Sequence, residues 1–190
     1  MAEVVLYHHA LGRTAGVEAF ADQLRSSGHR VHVPDLYEGN LFDDLDAGVA
    51  YAQQTGFATI TQRGLDAADG LGGDLVYAGF SLGAMPAQQL AQRRPGARGA
   101  LLLHACLPVS EFSQGWPDGV PVQVHGMDQD PFFAEEGDLD AARALVESTE
   151  GAELFLYPGN QHLFADPSLP SYDEDAATLL MHRVKDFLGR

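Results

Sequence analysis

Six short apolar runs separated by amphipathic stretches constrain this chain more than any other feature. They are "EVVLYHH" (3–9), "RVHVPD" (30–35), "LVYAGF" (75–80), "GALLLHA" (99–105), "VPVQVHG" (120–126) and "AELFLYP" (152–158). Most are continuously apolar rather than alternating, which is the pattern of strands covered on both faces. Between them, "TAGVEAFADQLRSSG" sets Val17, Phe20, Ala21 and Leu24 on one helical stripe, with Thr14 as N-cap and Gly28 at its end. Residues 43–69 read as a helix interrupted by Gly48, Gly56 and Gly64. "LGAMPAQQLAQRR" (82–94), "DLDAARALVEST" (138–149, begun by an Asp cap) and "DEDAATLLMHRVKDFL" (173–188) complete the set. Pro86 fits a helix only near its first turn. Strands alternating with helices imply βαβ units. The expectation is one α/β domain over 1–190, with a mostly parallel six-stranded sheet and helices on both faces.

In such a sheet, ligands bind beyond the carboxyl ends of the strands. Chemistry is therefore sought in segments 8–14, 35–45, 80–84, 104–119, 126–137 and 159–170.

Composition narrows the partners. A net charge of −16 repels phosphate backbones and anionic lipid, so neither nucleic acid nor a membrane surface is an expected partner, and small anionic substrates are disfavoured. The single cysteine, Cys106, lies in an apolar run and forms no disulfide framework, which fits a reducing compartment. The stretch "MAEVVLYHHA" lacks the basic region and apolar core of a signal peptide, and no apolar run reaches the roughly 18–20 residues of a membrane span. A cytoplasmic protein is expected.

The third run ends in "GFSLGAM", where two glycines bracket Ser81. Gly-X-Ser-X-Gly between a strand and a helix is a nucleophile elbow: the sharp turn lifts the serine oxygen above the sheet, beside the N–H groups of the following helix. The bland alternative is a tight turn carrying an inert serine. A serine needs a base to remove its proton and an acid to orient that base. In elbow-bearing folds these follow in the order Ser, Asp or Glu, His.

After Ser81 stand His104, His125, His162 and His182. His125 falls inside a predicted strand and His182 inside a helix. His104 ends a strand and reads as a core or lining residue. His162 occupies the loop after the last strand, as the order demands. For the acid, "HGMDQDPFFAEEGDLD" offers Asp128, Asp130, Glu135 and Glu136. Asp130 is preferred because it lies a short loop past the strand and is followed by Pro131; Asp128 is the alternative. The oxyanion of an acyl-transfer intermediate needs preorganised donors. The N–H of Leu82 supplies one, and the loop "YHHALGR" supplies the other through Ala10, with Leu11 next.

His8-His9 and His29-x-x-His32 do not read as metal ligands, because residues an odd number of positions apart on a strand face opposite ways and no cysteine pair or HExxH accompanies them. The acidic run 128–140 lacks the spacing of a calcium loop. No metal or cofactor is expected. "DGLGGD" (69–74) precedes a strand and so is not a dinucleotide fingerprint.

The elbow, "HVPDLYEG" (32–39), "VHGMDQDPFF" (124–133) and "HLFAD" (162–166) together resemble the dienelactone hydrolase family of α/β hydrolases, over nearly the whole chain. The resemblance implies a minimal α/β-hydrolase fold with no separate lid domain, and Ser81, Asp130 and His162 match the family's three catalytic positions. Serine replaces the family's cysteine nucleophile, and Cys106 lies elsewhere. His9 falls where the family has a glutamate in the oxyanion loop. Asp166 falls where it has an arginine for the substrate carboxylate, and an aspartate there would repel such a substrate.

The expected chemistry is cleavage of a small uncharged carboxylic ester or lactone through an acyl-serine. His9 borders this site, orienting Ser81, contacting substrate or merely packing the loop. Leu11 and, in the loop 107–119, Phe112 and Trp116 are candidates for walling an apolar pocket; the two aromatics read equally well as satellite core. A thioesterase or amidase uses the same residues. The competing class is a hydrolase-like scaffold that binds a small molecule or protein without turnover.

Overall fold

A computed structural model describes residues 1–190. Its strands are β1 (Glu3–Tyr7), β2 (Arg30–His32), β3 (Leu75–Phe80), β4 (Gly99–Leu103), β5 (Val122–Met127) and β6 (Ala152–Tyr157). All neighbours pair in parallel, in the order β2-β1-β3-β4-β5-β6. Six helices cross between them: α1 (Ala15–Ser26), α2 (Leu45–Thr55), α3 (Phe57–Asp69), α4 (Ala84–Arg93), α5 (Asp138–Ser148) and α6 (Glu174–Leu188). From β1 the chain first moves outward to β2, then returns to place β3 on the other side of β1. The strand order therefore reverses between β1 and β3, and a crevice opens at such a switch point beyond the carboxyl ends. The elbow follows β3 and the 8–14 loop follows β1, so both lie at that crevice.

The continuously apolar strands divide their side chains between two cores. Val5 and Tyr7 of β1, Leu75 and Tyr77 of β3, and Ala100 and Leu102 of β4 join one core with residues of α2, α3, α4 and α5. Val4 and Leu6, Val76 and Ala78, and Leu101 and Leu103 join the other, with residues of α1 and α6. Burying each large apolar side chain contributes roughly 1.5–3 kcal/mol, and the period-2 alternation of a strand allots it to one face or the other.

The glycines of the interrupted helix resolve into two roles. Gly56 takes φ +91° and breaks the run into α2 and α3. Gly48 and Gly64 instead stay helical and permit close packing: a Cβ on Gly48 would stand 2.1 Å from the Ala10 carbonyl oxygen, and one on Gly64 would meet Pro86 at 2.6 Å.

Strands β1 and β2 end earlier than their apolar runs. Pro34 removes a ladder donor from β2. His8 turns its ring to accept the Leu36 N–H at 2.9 Å and donates from Nδ1 to the His9 carbonyl at 2.8 Å, tying the two strand exits together. The Asp cap expected for α5 is not formed. Gly137 precedes that helix in a left-handed conformation, and the carboxylate of Asp138 accepts the Cys106 N–H at 3.0 Å instead.

Candidate active site

Ser81 occupies φ +48°, a left-handed conformation that costs a non-glycine residue of order 1–2 kcal/mol. The residues around it enforce this turn. A Cβ on Gly79 would stand 2.0 Å from the Gly83 carbonyl oxygen, and one on Gly83 would stand 2.5 Å from that of Tyr7. The glycines thus let the turn close on itself and let the start of α4 press against the end of β1.

His162 stands in the loop after β6, 9% exposed, with Nε2 2.9 Å from Ser81 Oγ and Nδ1 2.6 Å from Asp130 Oδ2. Since Nδ1 faces a carboxylate, it carries the proton, and Nε2 is left to accept from the serine hydroxyl. Asp130 is fully buried, and its other oxygen accepts the Phe132 N–H at 3.0 Å. Phe133 anchors this segment by packing where a Cβ on Gly126 would lie, 2.4 Å from its ring. Asp128 is exposed and faces elsewhere: its carboxylate accepts the Gly159 N–H at 3.1 Å and braces the loop that carries His162.

In the turn after β1, three amides compete for partners. Leu11 N–H donates to His9 Nδ1 at 3.3 Å, and Gly12 N–H donates to the His9 carbonyl at 3.0 Å. The Ala10 N–H donates to no group of the protein.

Asp166 departs from its sequence reading, and of the three readings of His9 its placement agrees with packing within the loop. His9 is fully buried and donates from Nε2 to Asp166 Oδ2 at 2.8 Å, so it reaches neither Ser81 nor solvent. Asp166, 1% exposed, also accepts from Thr14 Oγ1 at 2.6 Å, from the Ser168 N–H at 2.8 Å and from Ser168 Oγ at 2.6 Å. Burial pushes its carboxyl up, but the hydrogen bonds from His9, Ser168 and Thr14 outweigh this and hold it below the usual range. Asp166 is thus an interior structural anion that presents no charge to a ligand, and the expected repulsion has no basis in its placement.

A cleft of about 440 Å³ adjoins His162. Leu11, Phe132, Leu163 and Leu169 give it apolar walls, Asp43 and Asp44 lie along it, and no Lys or Arg lines it; Ser81 is not among its lining residues. A larger hollow of about 780 Å³ sits at the opposite, amino-terminal end of the strands, far from this chemistry. Of the candidate pocket residues, only Leu11 lines the cleft. Trp116 packs against the core and donates to the Val120 carbonyl at 2.7 Å, and Phe112 is half-buried in the same loop outside the cleft.

Two neighbours of His162 were not legible as such. Phe132, 40% exposed, holds its ring 4.8 Å from the imidazole, and its position two residues past Asp130 was the available signal. His104 lies fully in the core with its ring centroid 5.8 Å from that of His162, stacked on Phe80 and edge-on to Phe164. Neither of its ring nitrogens has a partner, and burial holds its pKa well below the ordinary value, so the ring is neutral.

Comparison with known proteins agrees with this architecture. The model of the dienelactone hydrolase family matches residues 1–190. A crystal structure of a putative dienelactone hydrolase from Klebsiella pneumoniae superposes with a TM-score of 0.72 at 20% identity, covering 100% of this chain and 87% of that one. A dienelactone hydrolase-like promiscuous phosphotriesterase, P91, from metagenomic libraries gives 0.72 at 18% identity, covering 100% and 86%. A cold-adapted esterase from an Arctic intertidal metagenomic library gives 0.68 at 18% identity, covering 98% and 82%. No curated protein gives a significant match. The fold is that of the α/β hydrolases, and no helix is long and apolar enough to cross a membrane.

Proposed function

The chain belongs to the dienelactone hydrolase family, and on that premise we propose that it is a serine hydrolase cleaving a small uncharged carboxylic ester or lactone through an acyl-enzyme. The carrying observation is the continuous relay Ser81 Oγ–His162 Nε2, 2.9 Å, and His162 Nδ1–Asp130 Oδ2, 2.6 Å, built on a serine held at φ +48°.

In this mechanism Ser81 Oγ attacks the substrate carbonyl carbon while its proton passes to His162 Nε2. Asp130 accepts the Nδ1–H throughout, fixing the ring and stabilising the imidazolium. The carbonyl oxygen becomes an oxyanion held by the N–H groups of Leu82 and Ala10. Ala10 suits this role because it has the free amide of its turn. The intermediate collapses, the C–O bond to the leaving alkoxide breaks, and His162 Nε2–H protonates that oxygen. Water then attacks the seryl ester, gives its proton to His162, and the second collapse releases the acid and returns the proton to Ser81.

The cleft supports a neutral substrate. It offers apolar walls and two aspartates but no cation to pair with a carboxylate, and the net charge of −16 acts in the same direction. Reaction with a fluorophosphonate, which only an activated serine undergoes, tests this reading. Stoichiometric labelling of the wild-type protein and none of Ser81→Ala is expected; an unlabelled wild type would favour a scaffold that binds without turnover.

A further inference from the structure

His9 and Asp166 form a buried polar contact that the proposed relay leaves unused. The ring of His9 has a defined protonation pattern. A backbone N–H, that of Leu11, points at Nδ1 from 3.3 Å, so Nδ1 must offer a lone pair and the proton must sit on Nε2, 2.8 Å from Asp166 Oδ2. The opposite tautomer, and the imidazolium, would each set two hydrogens against one another at Leu11.

Asp166 is equipped to enforce that choice. Its two oxygens receive four hydrogen bonds, from His9, Thr14 and twice from Ser168, and none remains to take a different partner. Its position requires Gly16, where a Cβ would lie 1.5 Å from Asp166 Oδ1. Asp166 also follows His162 by four residues, and its own N–H donates to the Leu163 carbonyl at 3.0 Å. The anion therefore joins the loop bearing the base to the turn bearing Ala10.

Within that turn, His9 sets the order in which amides are used. Its carbonyl takes the Gly12 N–H and its Nδ1 takes the Leu11 N–H, while His8 Nδ1 holds the same carbonyl from the other side. The Leu11 carbonyl is occupied by the Phe42 N–H at 3.1 Å. The Ala10 N–H shares its peptide plane with the His9 carbonyl, so turning that peptide over breaks the bonds from Gly12 and His8.

We infer that His9 and Asp166 are positioning residues that hold the Ala10 N–H toward the oxyanion. The inference rests on the serine-hydrolase reading above. It assigns the pair no contact with substrate and no proton transfer in the reaction.

The two halves of the histidine can be kept separately. Asparagine reproduces an acceptor near Nδ1, as in an Asx turn, whereas glutamine reproduces a donor near Nε2. His9→Gln thus keeps the bond to Asp166 and loses the acceptor for Leu11; His9→Asn does the reverse. With a p-nitrophenyl ester, His9→Gln should lose about 10²-fold in kcat, the scale of one oxyanion donor, with KM little changed. His9→Asn should lose at least about tenfold less. The matching thionoester supplies the second readout, because its sulfur is a larger and poorer acceptor that gains little from the oxyanion donors. In His9→Gln the oxoester-to-thionoester rate ratio should therefore fall, whereas a general loosening of the fold would slow both substrates together.

Turnover that requires Ser81 but shows equal losses in the two variants, or an unchanged ratio, overturns the inference alone. Absence of turnover in the wild type, or its persistence in Ser81→Ala, overturns the hydrolase reading and the inference with it. Should the variants not fold, nitrogen-15 NMR of histidine-labelled wild type decides: His9 with the proton on Nε2 supports the pair, and His9 with the proton on Nδ1 refutes it.

Discussion

The α carbon of Gly83 lies so close to the Tyr7 carbonyl that a Cβ there would stand 2.5 Å from its oxygen. The elbow after β3 and the turn after β1, which carry the two amides proposed to hold the oxyanion, are thereby pressed together at the reversal of strand order. Gly83→Ala must force these segments apart. It should cost about 1–3 kcal/mol of stability and reduce turnover in the molecules that remain folded. Gly28→Ala is the control: its φ of +89° makes it cost about 1 kcal/mol, but open space surrounds it and turnover should not change. Chemical denaturation and assays of the folded fraction check both.

Replacing the strained serine separates stability from activity. Ser81→Gly removes the proposed nucleophile and relieves φ +48°, so the variant should be inactive yet more stable than wild type by about 1 kcal/mol. Ser81→Ala should be equally inactive with stability nearly unchanged. A higher midpoint of thermal unfolding for Ser81→Gly than for Ser81→Ala is the expected result.

The two aspartates of "GMDQD" should respond differently to the same substitution. Asp130→Asn presents an amide to His162 Nδ1 and favours the wrong tautomer, so kcat should fall by on the order of 10⁴. Asp128→Asn retains an oxygen for the Gly159 N–H and should stay within a few-fold of wild type. The opposite ranking would exchange their roles.

Asp138 should leave a signature in the pH dependence of stability. Burial raises its pKa from 3.8 to about 6, against a weaker opposing pull from the Cys106 N–H. A folded pKa above the unfolded one means that the folded state binds the proton more tightly. The charged form is therefore a destabilising contribution, complete above about pH 6 and gone once pH falls below 3.8. Asp138→Asn, which can still accept from Cys106, should melt higher than wild type at pH 7, and the gap should close between pH 6 and 4.

Much of this arrangement was legible because it depends on local signals. Six apolar runs announced the strands, and the glycines around Ser81 announced a turn that only close packing could require. The order of residues expected for the fold singled out Asp130 and His162, which lie in one hydrogen-bonded chain with Ser81. The rest depends on contacts between distant segments. Nothing near His9 in the sequence marks Asp166, 157 residues away, as its partner. The family resemblance sets Asp166 where an arginine would meet the substrate, and only its burial shows that it faces inward. Phe112 and Trp116 stayed open between pocket wall and core for a related reason: an aromatic side chain in a loop near the site can face the crevice or the core, and loop composition does not distinguish them.

The proposed mechanism makes one covalent demand, that the acyl group of the substrate rest on Ser81 between two half-reactions. Rapid acid quenching during turnover of p-nitrophenyl acetate, followed by intact-mass and peptide analysis, tests this most directly. One added acetyl group is expected, on the peptide containing "GFSLGAM" and absent from Ser81→Ala. Efficient turnover with no acetyl ever found on Ser81, or acetylation at Cys106 instead, would contradict the account.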